Sequence, residues 1–198
     1  MGQYYHIGFK NGENVFVNCR KVENCDYQMA KLMEHSYINN ELMDAVAKFI
    51  HKNPTKLLWC GDYAKDAEVQ ERTGGCLRYD DLWGDAPLRD GVREFVFQKC
   101  GNLLRGGDFK YAGRFLVNHD KRQFVSFDRV MKENPVHWSN HLVVNPISIL
   151  TALGNGRGGG DYDGENMDLV GSWAWDTIEI ADGIPDGYAE LDAKFVEY

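Results

Sequence analysis

Two strand-turn-strand units, one in each half of the sequence, constrain the fold of this chain most. In the first, residues 4–9 and 14–18 flank Asn11-Gly12, a pair that readily adopts the positive φ angles of a tight turn. In the second, residues 114–118 and 123–127 flank a polar turn. Since strands joined by so short a turn pair antiparallel, both units predict antiparallel sheet.

Helical spacing of apolar residues predicts helices between these units. Such spacing covers residues 29–37 and 42–50, which predicts either one interrupted helix or two successive ones, and Asn40 would be the N-cap of the second. It also covers residues 87–100, with Pro87 in the first turn. A further short helix is predicted to begin after Asn145 and to end at Gly154.

The remaining apolar segments predict strands. Residues 56–60 predict a short buried strand, and the polar segment that follows, through Gly74-Gly75, predicts a loop. Apolar and polar residues alternate along residues 170–181 and 189–197, which predicts two more strands. The expected fold class is therefore α+β, with mixed or antiparallel sheets and a few helices.

A Trp-x-x-Asp segment occurs in each predicted half, as Trp59-Cys-Gly-Asp62 and Trp173-Ala-Trp-Asp176. Together with the two hairpins it suggests an internal duplication, with similar α+β lobes at residues 1–110 and 111–198 and a ligand cleft between them. The sequence leaves open whether these lobes pack as a single domain.

Composition excludes several classes of protein. Hydrophobic residues make up 43% of the 198 residues, which is enough for a globular core, and no apolar run approaches the length of a membrane helix. The first residues lack a secretory signal, so we expect a cytoplasmic protein that does not enter a membrane. The five cysteines form no C-x-x-C pair and predict buried, reduced thiols rather than a zinc ribbon or a disulfide framework.

Negative charge is concentrated near the carboxyl end. The formal net charge is −8, and residues 155–198 hold eleven acidic and two basic side chains. Such a surface repels phosphate backbones, so we expect no direct nucleic-acid binding. It either attracts cations or a basic partner, or only aids solubility.

The segment from Gly154 to Gly164 is the densest local feature. It satisfies G-x-G-x-x-G formally, but a predicted helix precedes it and no helix follows, which excludes a dinucleotide fingerprint. Two interpretations stay open, a structural loop with unusual backbone angles or a nest of amides that binds a small anion. The candidate ligand-binding residues are Gly156, Arg157, Gly158, Gly159 and Gly160.

Two tryptophans and three carboxylates follow this loop. Trp173 and Trp175 would share one face of a strand, so they would form either core or an aromatic recognition surface. Asp161, Asp163 and Glu165 are alternative ligands for Mg²⁺ or Ca²⁺, although the spacing does not match an EF-hand. The main expectation is no cofactor.

Several sequence blocks resemble a family of uncharacterised proteins from phages, prophages and microbial genomes. The blocks span most of the chain: Met1-Gly-Gln-Tyr-Tyr, Lys31-Leu-Met-Glu-His-Ser-Tyr37, Trp59-x-Gly-Asp-Tyr-Ala64, Val117-Asn-His-Asp-Lys121, Gly154-Asn-Gly-Arg-Gly-Gly-Gly-Asp-Tyr162 and Val170-Gly-Ser-Trp-Ala174. The family has no assigned activity, so the resemblance carries no site residue over. It implies an accessory protein of a mobile element, such as a counter-defence protein that binds a host protein or sequesters a nucleotide.

These observations predict a non-catalytic binding protein. Its partner would be a host protein or a small nucleotide-like ligand, bound by the glycine-rich segment with Trp173 or Trp175. The alternative is a Mg²⁺-dependent enzyme acting on a nucleotide or another phosphorylated small molecule.

Overall fold

A mixed β-sheet forms the centre of the computed structural model, which describes residues 2–18, 29–95, 109–133 and 143–196. Its strands are β1 (Tyr5–Asn11), β2 (Asn14–Asn18), β3 (Thr55–Gly61), β4 (Val92–Phe95), β5 (Phe115–Asn118), β6 (Gln123–Ser126), β7 (Ala152–Leu153), β8 (Thr177–Ala181) and β9 (Ala189–Glu190). The helices are α1 (Leu32–His35), α2 (Glu41–Ile50), α3 (Asp66–Thr73), α4 (Tyr79–Trp83), α5 (Phe127–Glu133) and α6 (Pro146–Thr151). A 3-10 turn spans Met167–Leu169.

The strand order is β4-β2-β1-β3-β8-β5-β6-β9, and β7 pairs with β3 beside this path. Strand β4 runs parallel to β2, β7 to β3 and β9 to β6, while the other pairs are antiparallel. The α+β prediction is therefore confirmed. Both predicted hairpins are present as β1-β2 and β5-β6, and Gly12 adopts the expected positive φ of 56°.

Two predicted helix starts are confirmed by their caps. The side-chain oxygen of Asn40 accepts hydrogen bonds from the amides of Leu42 and Met43 and so begins α2. The side-chain oxygen of Asn145 accepts from the amide of Ile147 and begins α6, with Pro146 at its first position.

Several predicted elements were wrong in type or length. The described part of the predicted 87–100 helix contains strand β4. The three-residue spacing of Val92 and Phe95 is typical of a helix, but pairing with β2 makes the segment a strand, and the two side chains pack in different apolar clusters. Residues 96–100 lie outside the described residues. Helix α6 ends at Thr151, not at Gly154, because the chain continues as β7. The predicted 170–181 strand holds regular structure only in β8.

The polar segment after β3 was predicted as a loop but contains α3 and α4. Helix α3 buries only Val69 and Thr73, too few residues for a helical pattern to show in the sequence. Near the carboxyl end, the described part of the predicted 189–197 strand, residues 189–196, has regular strand pairing only in β9. Leu191, Ala193 and Phe195 nevertheless face the core together, as expected from alternation.

Alternation along β3 divides the interior into two apolar clusters. Leu57 and Trp59 belong to the larger cluster, which includes side chains of α2 and α6. Leu58 and Cys60 belong to the smaller cluster, which includes side chains of α3 and α4. Since neighbouring strand residues point to opposite faces, the sheet lies between these two cores.

The sheet includes strands from both proposed lobes, because β3 pairs with β7 and β8. The two Trp-x-x-Asp segments differ in structure: Trp59 lies within β3, whereas Trp173 lies in a turn. The strand carrying Trp-x-x-Asp is thus not repeated, and the division at residue 110 stays a prediction. Among the described ranges, no helix has both the length and the apolar character needed to span a bilayer.

Candidate functional site

The glycine loop, residues 154–161, leaves strand β7 and runs over the start of β1. Gly154, Gly156 and Gly160 have φ angles of 107°, 85° and 81°. Residues other than glycine adopt such φ angles only with backbone strain, so the path of the loop depends on glycine at these three positions. The unusual backbone angles expected from the sequence are present.

The carboxylate of Asp161 occupies two of the loop amides that the sequence offers as a possible nest for a small anion. Asp161 Oδ2 accepts hydrogen bonds from the amides of Arg157 at 2.8 Å and Gly158 at 2.9 Å. Asp161 Oδ1 accepts from the hydroxyl of Tyr5 at 2.6 Å. Burial and this carboxylate both raise the pKa of Tyr5, which keeps its hydroxyl a donor. The two amides therefore serve the loop itself.

The Arg157 guanidinium is also engaged within the protein. Its Nη1 and Nη2 donate to the two carboxylate oxygens of Glu68 at 3.0 and 2.8 Å, a bidentate pair. Nη1 donates as well to the carbonyl oxygen of Tyr63 at 2.7 Å. The bonded guanidinium lowers the pKa of Glu68 to about 2, so this carboxylate is ionised throughout the neutral range.

Backbone contacts dock the glycine loop on neighbouring segments. The amide of Gln3 donates to the Gly159 carbonyl at 2.8 Å, and the amide of Met33 donates to the Gly160 carbonyl at 3.0 Å. A Cβ on Gly158 would lie 2.8 Å from the backbone nitrogen of Gln3. Glycine is therefore required at position 158 because the loop backbone lies too close to the backbone of Gln3 for a larger side chain.

Trp173 and Trp175 do not form an aromatic recognition surface. Their exposed fractions are 1% and 6%, and they pack in the two different apolar clusters on opposite sides of the sheet. The expectation that they share a face was wrong because residues 170–176 form turns, in which Trp175 has a φ of 63°. Trp175 is nevertheless one of the residues that line a surface groove.

Asp161, Asp163 and Glu165 are not gathered into a metal site. Both oxygens of Asp161 accept hydrogen bonds from the protein, and Asp163 is exposed to solvent. Within the part of the chain that the structure describes, no group of three potential ligands lies close enough to hold a metal ion. The expectation of a metal site at these residues is therefore corrected. Asp161 stabilises the loop, and Asp163 and Glu165 lie apart from it near the surface.

Two adjoining cavities lie beside the glycine loop. The larger, of about 610 Å³, is a groove between α3 and the turn that carries Trp175 and Asp176. The smaller, of about 280 Å³, extends along Gly154–Arg157 toward the turn at Met167. Arg72 and Leu153 line both cavities, which places them at the junction.

Most charges around the larger groove are paired. Lys56 lies 3.5 Å from Asp120 and donates to the Trp175 carbonyl, and Asp176 pairs with Lys121. Arg72 and Glu71, both exposed on α3, have no ion pair among the described residues. Among the described lining residues, one cation and one carboxylate therefore lack an ion pair, beside an apolar wall formed by Leu153, Ala174 and Trp175.

Sequence reasoning missed the groove residues Arg72, Glu71 and Glu68, because it missed α3. A weak signal was present: Glu68 accepts from the Lys65 amide at 2.8 Å as an N-terminal cap, and Gly74 ends the helix with a φ of 60°. These end signals predict a helix even where the apolar pattern between them is poor.

Comparison with protein-family models, curated proteins and solved structures finds no match to this chain. The resemblance to phage and prophage proteins therefore stays a prediction from the quoted sequence blocks.

Proposed function

We propose that this chain is a non-catalytic binding protein that holds a small, nucleotide-like phosphorylated molecule in the groove beside the glycine loop. The observation that carries the proposal is Arg72, an exposed cation that lines both cavities and has no ion pair among the described residues. An unpaired guanidinium beside an apolar wall suits a ligand with an anionic group and a flat or apolar body.

The size and polarity of the groove support this class of ligand. A volume of about 610 Å³ lies in the range of small-molecule sites. Phosphate oxygens would accept hydrogen bonds from Arg72, and sugar hydroxyls would donate to the free carboxylate of Glu71. The apolar part of the ligand would contact Leu153, since the other two apolar lining residues, Ala174 and Trp175, are only 3% and 6% exposed.

The titratable groups at the groove favour binding over catalysis. The described lining residues of the larger groove include no histidine or cysteine, and the Arg157 pair keeps the pKa of Glu68 near 2. Nearby Cys60 is fully buried, and burial raises its pKa to about 12, so it is a poor nucleophile. A Mg²⁺-dependent enzyme has less support, because its candidate ligands Asp161, Asp163 and Glu165 do not converge.

A biological role in sequestering a nucleotide agrees with the resemblance to proteins of mobile elements. In that role the protein would bind the nucleotide without converting it.

Calorimetric titration with AMP, adenosine and ribose 5-phosphate tests the proposal. We expect AMP to bind, adenosine to bind more weakly because it lacks the phosphate, and Arg72→Ala to reduce AMP affinity about tenfold or more. The matched control is Arg93→Ala, which removes an exposed arginine from the edge strand β4. If neither AMP nor ribose 5-phosphate binds, or if both variants behave alike, the proposal fails.

A further inference from the structure

The bidentate ion pair between Arg157 and Glu68 lies where the two cavities meet. Glu68 lines the larger groove, Arg157 lines the smaller cavity, and Arg72 lines both. We propose that Arg157 is a second anion-binding group of this site and that Glu68 is an internal carboxylate which a phosphate group of the ligand displaces from it. This inference rests on the proposed ligand class and adds a residue pair that controls affinity.

The geometry of the pair supports exchange with a phosphate. Glu68 presents two oxygens to Nη1 and Nη2 at 3.0 and 2.8 Å, which is the planar arrangement that a phosphate also offers to a guanidinium. The side chains of Arg157 and Glu68 are 35% and 31% exposed, so a ligand in solution reaches the contact. A partly exposed ion pair of this kind adds little to the free energy of folding. Replacing Glu68 by a phosphate group therefore costs little stability.

The rest of the loop is held independently of Glu68. The nest contacts between Asp161 and the amides of Arg157 and Gly158 fix the backbone from which the Arg157 side chain extends. Glu68 itself keeps a second partner, the Lys65 amide, when it leaves the guanidinium. Displacement thus changes one side-chain contact and leaves both the loop and the start of α3 in place.

Displacement requires a competing anion, not a change of pH in the neutral range. The Arg157 contact keeps Glu68 ionised well below neutral pH, so protonation does not release it there. When a phosphate replaces Glu68, the guanidinium groups of Arg157 and Arg72 both serve the same ligand. Two charge-assisted forks bind a doubly charged group more strongly than one.

Glu68→Gln and Glu71→Gln form a matched pair of test variants. Both remove one negative charge from the wall of the same groove, but of these two glutamates Glu68 alone contacts Arg157. Glutamine at position 68 retains a carbonyl oxygen that accepts from the Lys65 amide, so α3 keeps its cap. Thermal unfolding of each variant checks that it remains folded.

The measurement is titration of each full-length variant with inorganic phosphate, followed by the ¹⁵N signal of the Arg157 side chain. We expect Glu68→Gln to bind phosphate about tenfold more tightly than the unmodified chain, and Glu71→Gln to change affinity about twofold at most. Adding Arg157→Ala to Glu68→Gln should abolish the gain. Equal effects of the two glutamine variants, or no gain in a folded Glu68→Gln variant, would overturn the inference.

This result is separable from the test of the proposed function. Failure of AMP to bind the unmodified chain would refute the proposed function, whereas the phosphate gain of Glu68→Gln decides the role of the pair by itself. If AMP binds through Arg72 and Glu68→Gln shows no gain, only the inference about Arg157 is wrong.

Discussion

The hydroxyl of Tyr5 lies 2.6 Å from Oδ1 of Asp161, a residue 156 positions further along the chain. The other carboxylate oxygen of Asp161 accepts the amides of Arg157 and Gly158. A single carboxylate therefore joins strand β1 to the glycine loop and fills the only amide nest described in that loop. The amides of Arg157 and Gly158 therefore have a structural role, and the candidate ligand site is the groove beside the loop.

Removal of the Asp161 carboxylate should destabilise the protein. Asp161→Ala leaves the buried Tyr5 hydroxyl and two loop amides without their acceptor, at an expected cost of about 2 kcal/mol. Asp163→Ala, at an exposed neighbouring position, should change stability by less than about 0.5 kcal/mol. Urea unfolding measures both values, and similar stabilities for the two variants would exclude the structural role of the nest.

A methyl group on Gly158 should disturb the docking of the loop. The added Cβ would lie 2.7 Å from the Gln3 Cβ and 2.8 Å from its backbone nitrogen, and backbone cannot easily move aside. We expect Gly158→Ala to cost about 2 kcal/mol in the free energy of unfolding. At Gly183 an added Cβ meets nothing within 4 Å, so Gly183→Ala is the control. An unaffected Gly158→Ala variant would contradict the packing described for Gly158.

The Glu68 pair should make stability depend on pH in the acid range. Because the pKa of Glu68 is lowered from 4.5 to about 2, its stabilising contribution is complete above pH 4.5 and is lost as pH falls through about 2. The difference in Tm between the unmodified chain and Glu68→Gln should thus be constant near neutral pH and shrink in acid. A difference that stays the same down to pH 2 would show that Glu68 is not held by Arg157.

The two described cysteines should differ in reactivity. Cys60 is fully buried and its pKa is raised to about 12, chiefly by burial, whereas Cys76 is partly exposed. Brief treatment of the native protein with iodoacetamide should modify Cys76 and leave Cys60 unmodified, as peptide mass spectrometry would show. Both should react after unfolding. Rapid native modification of Cys60 would reopen its role as a nucleophile.

Helix caps and turn residues could be predicted from the sequence alone. Asn40 and Asn145 cap helices as expected, and Gly12 makes the first turn, because each acts on backbone groups within a few residues. Strand β4 was misassigned because the three-residue spacing of Val92 and Phe95 fits a helix, and only pairing with β2 selects the strand.

The candidate site could be predicted only in part. The glycine loop and its positive φ angles follow from the sequence, but the partners of its charged groups do not. Asp161 meets Tyr5, and Arg157 meets Glu68 from 89 positions away, contacts that tertiary packing alone brings together. Arg72 was missed because α3 buries too few apolar residues to show a helical pattern.

Mapping AMP on the protein by two-dimensional ¹H-¹⁵N spectroscopy tests the central claim most directly. We expect AMP to shift the backbone signals of Arg72, Gly156 and Asp176, which line the two cavities, and adenosine to shift them less. Signals of the distant edge strand β4 should stay in place. Shifts confined to β4, or a spectrum that AMP leaves unchanged, would contradict the assignment of this groove as a ligand site.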